Sequence, residues 1–115
     1  VKSDRGRLLA RLKPETDGQA VSAAAAKAVT KMMVETVDRG TGGEAAIRGV
    51  AVAGKTGSAE NPTGLPHAWF TCFAPADNPT AVVTVVVENG GAGGEVAGPI
   101  ARQVLEALLQ EQNKQ

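Results

Sequence analysis

The sequence predicts an α+β fold: an antiparallel three-stranded meander flanked by an N-terminal and a C-terminal helix. Residues 22–39 and 95–112 repeat apolar side chains at helical spacing. Between them lie three strand-like runs, 50–58, 67–74 and 80–88, each bounded by Pro, Gly, Asn or Asp clusters. The loops between runs are short, whereas a parallel crossover needs about a dozen residues or more, so neighbouring strands should be antiparallel.

Residues 1–19 form a polar lead-in with a short extended segment at 7–12, ended by the turn residues Pro14, Asp17 and Gly18. Residues 20–115 carry the packed elements. Ser22 is a good N-cap, because its hydroxyl can accept from an orphan backbone N–H. Val21 and Ala26 are placed for a weak hydrophobic staple. Positions 25, 29, 32, 33 and 37 make the apolar face of the first helix, with Met32 and Met33 as core filling. Lys31 and Glu35 are spaced for an ion pair, and Gly40 stops the helix.

The first strand follows a glycine-rich loop at 40–49. The third, TAVVTVVVE, is apolar on both faces, so it calls for cover above and below and a neighbour on each side. Pro99 suits the first turn of the last helix, where a missing N–H is harmless. The stripe of that helix is Ile100, Ala101, Val104, Leu105, Leu108 and Leu109. Trp69 and Phe73 read as core or sheet-face packing. Glu60, Asn61 and Glu88 read as solvated strand-end residues.

Composition narrows the function. The chain has 115 residues, 43% hydrophobic and 21% charged, which suits a packed globular unit. Basic and acidic residues balance at 12 each and aromatics are 3%, so neither a cationic footprint nor stacking platforms for nucleic acid are present. No apolar run reaches the roughly 18 residues of a membrane span. The opening VKSDRGRLL has no apolar core of a signal peptide. The chain begins on Val, which points to a piece of something longer. Cys72 lies in an apolar run and reads as a small buried hydrophobe. One His and one Cys leave no basis for a protein-built zinc site.

The stretch GVAVAGKT, residues 49–56, fits the phosphate-loop pattern G-x-x-x-x-G-K-[ST] letter for letter. That motif needs a strand before its first Gly and a helix after its Lys-Thr. Here a glycine-rich loop precedes it, Val-Ala-Val-Ala favours a strand, and Pro62 and Pro66 forbid a useful helix afterwards. A nucleotide-binding loop is therefore the weakest reading. Taken alone, Lys55-Thr56-Gly57 also reads as an ordinary edge strand, with Lys blocking unwanted pairing and Gly57 marking a bulge.

The flanks add more. AVSAAAAKAVTKMMVETVDRGTGGEAAIRG, VAVAGKTGSAE, PHAWFTCFAPADNP, AVVTVVVENG and GGEVAGPIARQVLEALL, in that order, resemble the C-terminal part of class B penicillin-binding proteins. The resemblance covers roughly residues 20–110 and rests on the ordered set of segments. It implies that the meander is part of a larger five-stranded transpeptidase sheet, whose third strand here pairs with an earlier one. It also implies a peptidoglycan D,D-transpeptidase that cross-links stem peptides through an acyl-serine intermediate, on the outer face of the cytoplasmic membrane and anchored upstream. No cofactor is implied. The implied partners are the D-Ala-D-Ala stem peptide, β-lactam antibiotics, and an upstream part of the same domain carrying S-x-x-K and S-x-N.

By that resemblance Lys55 assists proton relay and raises the local positive potential. Thr56 and Ser58 bind a substrate carboxylate through their hydroxyls, and Gly57 lets the substrate approach the backbone. The backbone N–H of Ser58 becomes one oxyanion-hole donor. His67 reads as a polar strand-start residue bonded to the loop, with a place at the rim of the site as the alternative. The serines are Ser3, Ser22 and Ser58, and none begins S-x-x-K or S-x-N. The chain thus lacks the nucleophile and is expected to be inactive alone. The alternative is a non-catalytic module that binds peptide or mediates assembly.

Overall fold

The computed structural model describes residues 18–112 together with Gly6, Glu15 and Lys114. The extended segment expected at 7–12 lies outside the described residues. The element order is α1 (Ala23–Asp38), β1 (Ala53–Ala59), β2 (His67–Ala74), β3 (Ala81–Val87) and α2 (Gly98–Gln112). A short 3₁₀ turn, Gly43–Ala45, precedes β1, and a wider π turn, Gly93–Ala97, leads into α2. The sheet order is β1-β2-β3, antiparallel throughout, with an unbroken register in both pairs. The meander and its flanking helices are therefore as expected, and no bulge occurs at Gly57.

Ser22 caps α1 by accepting from the Ala25 N–H at 3.1 Å. Val21 is 58% exposed, so it forms no staple. Glu35 pairs with Arg39 at 3.5 Å, across the last turn, and not with Lys31 as the spacing suggested. Only the C-terminal half of α1 reaches the core: Val37 is buried and Met33 half-buried, while Val29 and Met32 are exposed. Met32 is thus not core filling. The helix approaches the sheet at its C-terminal end, where Val37 meets Phe70, and its first turns stand free.

Alternation along the strands sorts side chains onto two faces. Gly54, Thr56 and Ser58 share a face with Ala68, Phe70, Cys72 and Ala74, and with Ala81, Val83, Val85 and Val87. This face meets both helices. Phe70 lies at its centre, fully buried, among Val37, Ala45, Val52, Cys72, Ala97, Ala101 and Leu105. The other face carries Lys55, Gly57, Trp69, Thr71, Val82, Thr84 and Val86 and has no helix on it among the described residues. Trp69 lies on that face, 42% exposed.

Two kinds of cover that the sequence called for are not found among the described residues. β3 has β2 on one side and no strand on the other among the described residues, and Val82 is 69% exposed. In α2 the predicted stripe splits. Ala101 and Leu105 are buried and Leu109 is half-buried, while Ile100, Val104 and Leu108 face outward. One sheet face can cover only one side of a helix, so the wider stripe is left bare. The far end of α2 is fastened by Gln112, which donates to the Thr80 carbonyl at 3.2 Å.

Candidate active-site wall

β1 begins at Ala53, three residues later than its alternating sequence suggested. A tight turn delays it: Val50 N–H bonds Ile47 O at 3.1 Å, and Gly49 between them has φ +78°. The strand that follows is one edge of the sheet, with no strand on its outer side among the described residues. No helix follows it before residue 93, so the phosphate-loop reading is overturned.

Lys55 projects from the open face of this edge. It is exposed, and its Nζ turns over the edge to donate to the Thr56 carbonyl at 2.6 Å. Thr56 is half-buried on the helix-bearing face, where its hydroxyl meets that of Thr41 at 3.0 Å. Ser58 lies two residues on, exposed, and its hydroxyl reaches the Gly91 carbonyl at 3.4 Å. Gly57 pairs with Trp69 and lies beside that side chain on the open face.

The direction of the edge amides follows from what lies above the strand. A Cβ on Gly93 would overlap the carbonyl oxygens of both Gly57 and Trp69 and come within 3.0 Å of the Gly57 nitrogen. The polar atoms of Gly57 and Trp69 therefore face one another across the β1–β2 ladder. In an antiparallel pair, alternate residues point their N–H and C=O the other way. The amides of Thr56 and Ser58 are thus turned to the free edge, which agrees with the reach of Lys55 to the Thr56 carbonyl.

A small cleft of about 240 Å³ lies here, lined by Thr41, Thr56, Ser58, Gly93, Gly94 and Glu95 among others. Sequence reasoning placed Thr56 and Ser58 in the site but missed Thr41, the glycine pair and Glu95. The available signal was the Gly-Thr-Gly loop and the second Gly-Gly, both noticed only as landmarks. A larger open groove runs between α1 and the β2–β3 turn, lined by Lys27, Lys31, Ala51, Asp77 and Pro79 among others, and none of the predicted site residues lines it.

His67 is half-buried opposite Ala59, and its Nδ1 accepts from the Asn89 N–H at 3.0 Å. It fastens the turn after β3, as a strand-start residue bonded to a loop. Asn61 is not a solvated strand-end residue. Its amide donates to the Leu65 carbonyl and to Asn89 Oδ1 at 3.0 Å, and its Oδ1 accepts from the Thr63 N–H at 2.9 Å. Gly91 N–H also bonds the Pro66 carbonyl at 2.8 Å. These bonds join the β1–β2 loop to the loop beside Ser58. Cys72 is buried, and burial pushes its thiol from 9.0 up to about 11, so it stays protonated and inert near neutral pH.

With this geometry in place, comparison with known proteins is decisive. The family described as penicillin binding protein transpeptidase domain matches residues 2–106. The chain belongs to that family. Its transpeptidase relatives include the peptidoglycan D,D-transpeptidase PbpA of Mycolicibacterium smegmatis, 42% identical over 107 residues, which cover 85% of this chain and 22% of that protein. Among solved structures, the D,D-transpeptidase domain of a peptidoglycan glycosyltransferase from Eggerthella lenta superposes with a TM-score of 0.81 at 38% identity. It covers 99% of this chain and 27% of that one. Penicillin-binding protein A from M. tuberculosis, solved as a ceftriaxone acyl-enzyme complex, gives a TM-score of 0.76 at 37% identity over 92% of this chain and 26% of its own. The chain thus spans about a quarter of the length of these penicillin-binding relatives.

Proposed function

We propose that this chain is the C-terminal part of a peptidoglycan D,D-transpeptidase domain and forms one wall of its acyl-transfer site. The observation that carries the reading is the Lys55–Ser58 segment on a free sheet edge, its alternate amides turned outward, in a chain of this family.

Each residue then has a task. A donor peptide lies along β1 as one more strand, using the outward amides and carbonyls of Thr56 and Ser58. Its terminal carboxylate accepts from the Thr56 and Ser58 hydroxyls. A serine from the upstream S-x-x-K segment attacks the carbonyl between the two D-alanines. The oxyanion that forms is held by the Ser58 N–H, and such a donor contributes about 3–4 kcal/mol to the transition state. The terminal D-alanine leaves with a proton delivered through the Lys55 neighbourhood, and an acyl-serine ester remains. The amine of a second stem peptide displaces the serine and completes the cross-link. A β-lactam enters the same path, but its ring-opened amine stays tethered, so the ester persists.

The bare outer edge of β3 and the exposed Val82 and Val86 support a larger sheet completed by the upstream part of the domain. The work of cross-linking places the site on the outer face of the membrane. The test is a fluorescent penicillin, read on a denaturing gel, with the full encoded polypeptide. Label that disappears on replacing the S-x-x-K serine supports the reading. Label on the 115-residue chain alone overturns the account of its missing nucleophile. Stem-peptide binding without label would instead identify a non-catalytic module.

A further inference from the structure

We infer that Thr41 is a positioning residue for substrate carboxylate recognition, acting through the hydroxyl of Thr56. The inference rests on the transpeptidase reading above and extends it to a residue outside the Lys55–Ser58 segment.

Two independent observations carry it. The first is the bond itself: Thr41 Oγ1 and Thr56 Oγ1 lie 3.0 Å apart, and they belong to segments 15 residues apart in sequence. The second is the clamp that holds them. A Cβ on Gly94 would overlap the Thr41 carbonyl oxygen and come within 3.1 Å of Thr56 Cγ2. Gly93 beside it lies on the Gly57–Trp69 ladder. The loop carrying Thr41 and the strand carrying Thr56 are thus pressed against the same two glycines. Thr41 is also held from behind, because the next residue, Gly42, is buried and bonds the Thr36 carbonyl at 2.9 Å.

Hydroxyl chemistry gives the direction of the effect. A threonine hydroxyl has one hydrogen to donate and two lone pairs to accept. If Thr56 is to donate to a carboxylate, its bond with Thr41 must be one in which Thr41 donates. That arrangement fixes the Thr56 rotor, leaves its hydrogen for the substrate, and polarises it by hydrogen-bond cooperativity. Without Thr41 the Thr56 hydroxyl rotates freely and can satisfy itself on nearby backbone. Thr41 itself never touches substrate in this scheme.

The test uses the full encoded polypeptide and compares a penicillin with its methyl ester, which lacks the carboxylate. Thr41→Val keeps the shape and removes the hydroxyl. Its acylation by the free penicillin is expected to fall about fivefold to tenfold, the scale of one net hydrogen bond, while the slow rate with the ester is unchanged. Thr41→Ser restores the wild-type ratio. Equal slowing with both compounds would reveal a structural role only, and no slowing with either would reveal no role; both overturn the inference. Thr41→Ala, with its melting temperature measured beside wild type, provides a second hydroxyl-free variant if Thr41→Val folds poorly. Wild-type polypeptide that takes up no penicillin would overturn the transpeptidase reading and this inference together, and is distinguishable from the other outcomes.

Discussion

At the scale of the residue, the proposed reading gives Ser58 two roles, one through its backbone and one through its side chain, and they can be separated. Its N–H points to the free edge of β1 and belongs to no ladder bond. Proline there removes the amide hydrogen without breaking the sheet, which is the one strand setting that tolerates proline. Ser58→Pro is expected to slow penicillin acylation about 100-fold to 1,000-fold, the usual loss of one oxyanion donor. Ser58→Ala keeps the amide and should slow it only severalfold. Stopped-flow acylation rates for the two variants check this, with melting curves to show an intact fold; a milder Pro than Ala would contradict the role of the amide. Cys72 supports a second prediction. Its thiol is pushed from 9.0 up to about 11 by burial. In the unfolded chain it ionises first, so the unfolded state gains stability as pH rises past about 9 and the folded state follows only near 11. The stabilisation is therefore present at neutral pH and lost between those values, on the order of 2 kcal/mol. Urea midpoints from pH 8 to 11 should fall further in wild type than in Cys72→Ala, and parallel falls would show that the buried thiol is not the cause.

At the scale of the element, the π turn before α2 is what closes the site wall against the sheet. Gly93 leaves no space for a methyl group over the Gly57 and Trp69 carbonyls, whereas the nearest atom to a Cβ on Gly43 is 3.8 Å away. Backbone cannot swing aside as a side chain can. Gly93→Ala is expected to lower the melting temperature by several degrees and to reduce penicillin uptake with it, while Gly43→Ala stays near wild type. Equal melting of the two variants would mean the turn is not pressed on the strand as described. Such contacts mark the limit of what the sequence disclosed. β2 and β3 were legible because alternation and bounding turns are local, and α1 was legible from Ser22 and Gly40. The exposure of Ile100, Val104 and Leu108 was not, because a stripe of apolar residues does not say which part of it finds a partner. Thr56 and Ser58 were legible from the Lys-Thr-Gly neighbourhood. Thr41 was not, since a bond between hydroxyls on separate segments leaves no spacing to read. Asn61 and Asn89 escaped for the same reason, their pairing being created by two loops that meet only in the fold.

At the scale of the molecule, the question is what this chain does when it stands alone. Its core is built on one face of the sheet, around Phe70 and Leu105. The opposite face leaves Trp69, Val82 and Val86 in water, α2 leaves Ile100, Val104 and Leu108, and the first half of α1 leaves Val29 and Met32. Apolar patches of this kind and a β3 edge unpaired among the described residues both favour association, the edge by offering a row of free N–H and C=O groups to another strand. The 115-residue chain produced alone is therefore expected to sediment as oligomers and to melt broadly. Produced together with the upstream part of the domain proposed above, it should sediment as a one-to-one complex and take up fluorescent penicillin on the upstream piece. The two halves of that outcome test different things. Oligomers that resolve on adding the upstream piece attribute the bare surfaces to an interface within one domain. Penicillin uptake by the pair, absent from either piece, attributes the site to both, with the serine on one side and Lys55 to Ser58 on the other. A chain that sediments as a sharp monomer with a cooperative melt, and ignores the upstream piece, would instead be a self-sufficient module, and its exposed apolar residues would need a partner of another kind.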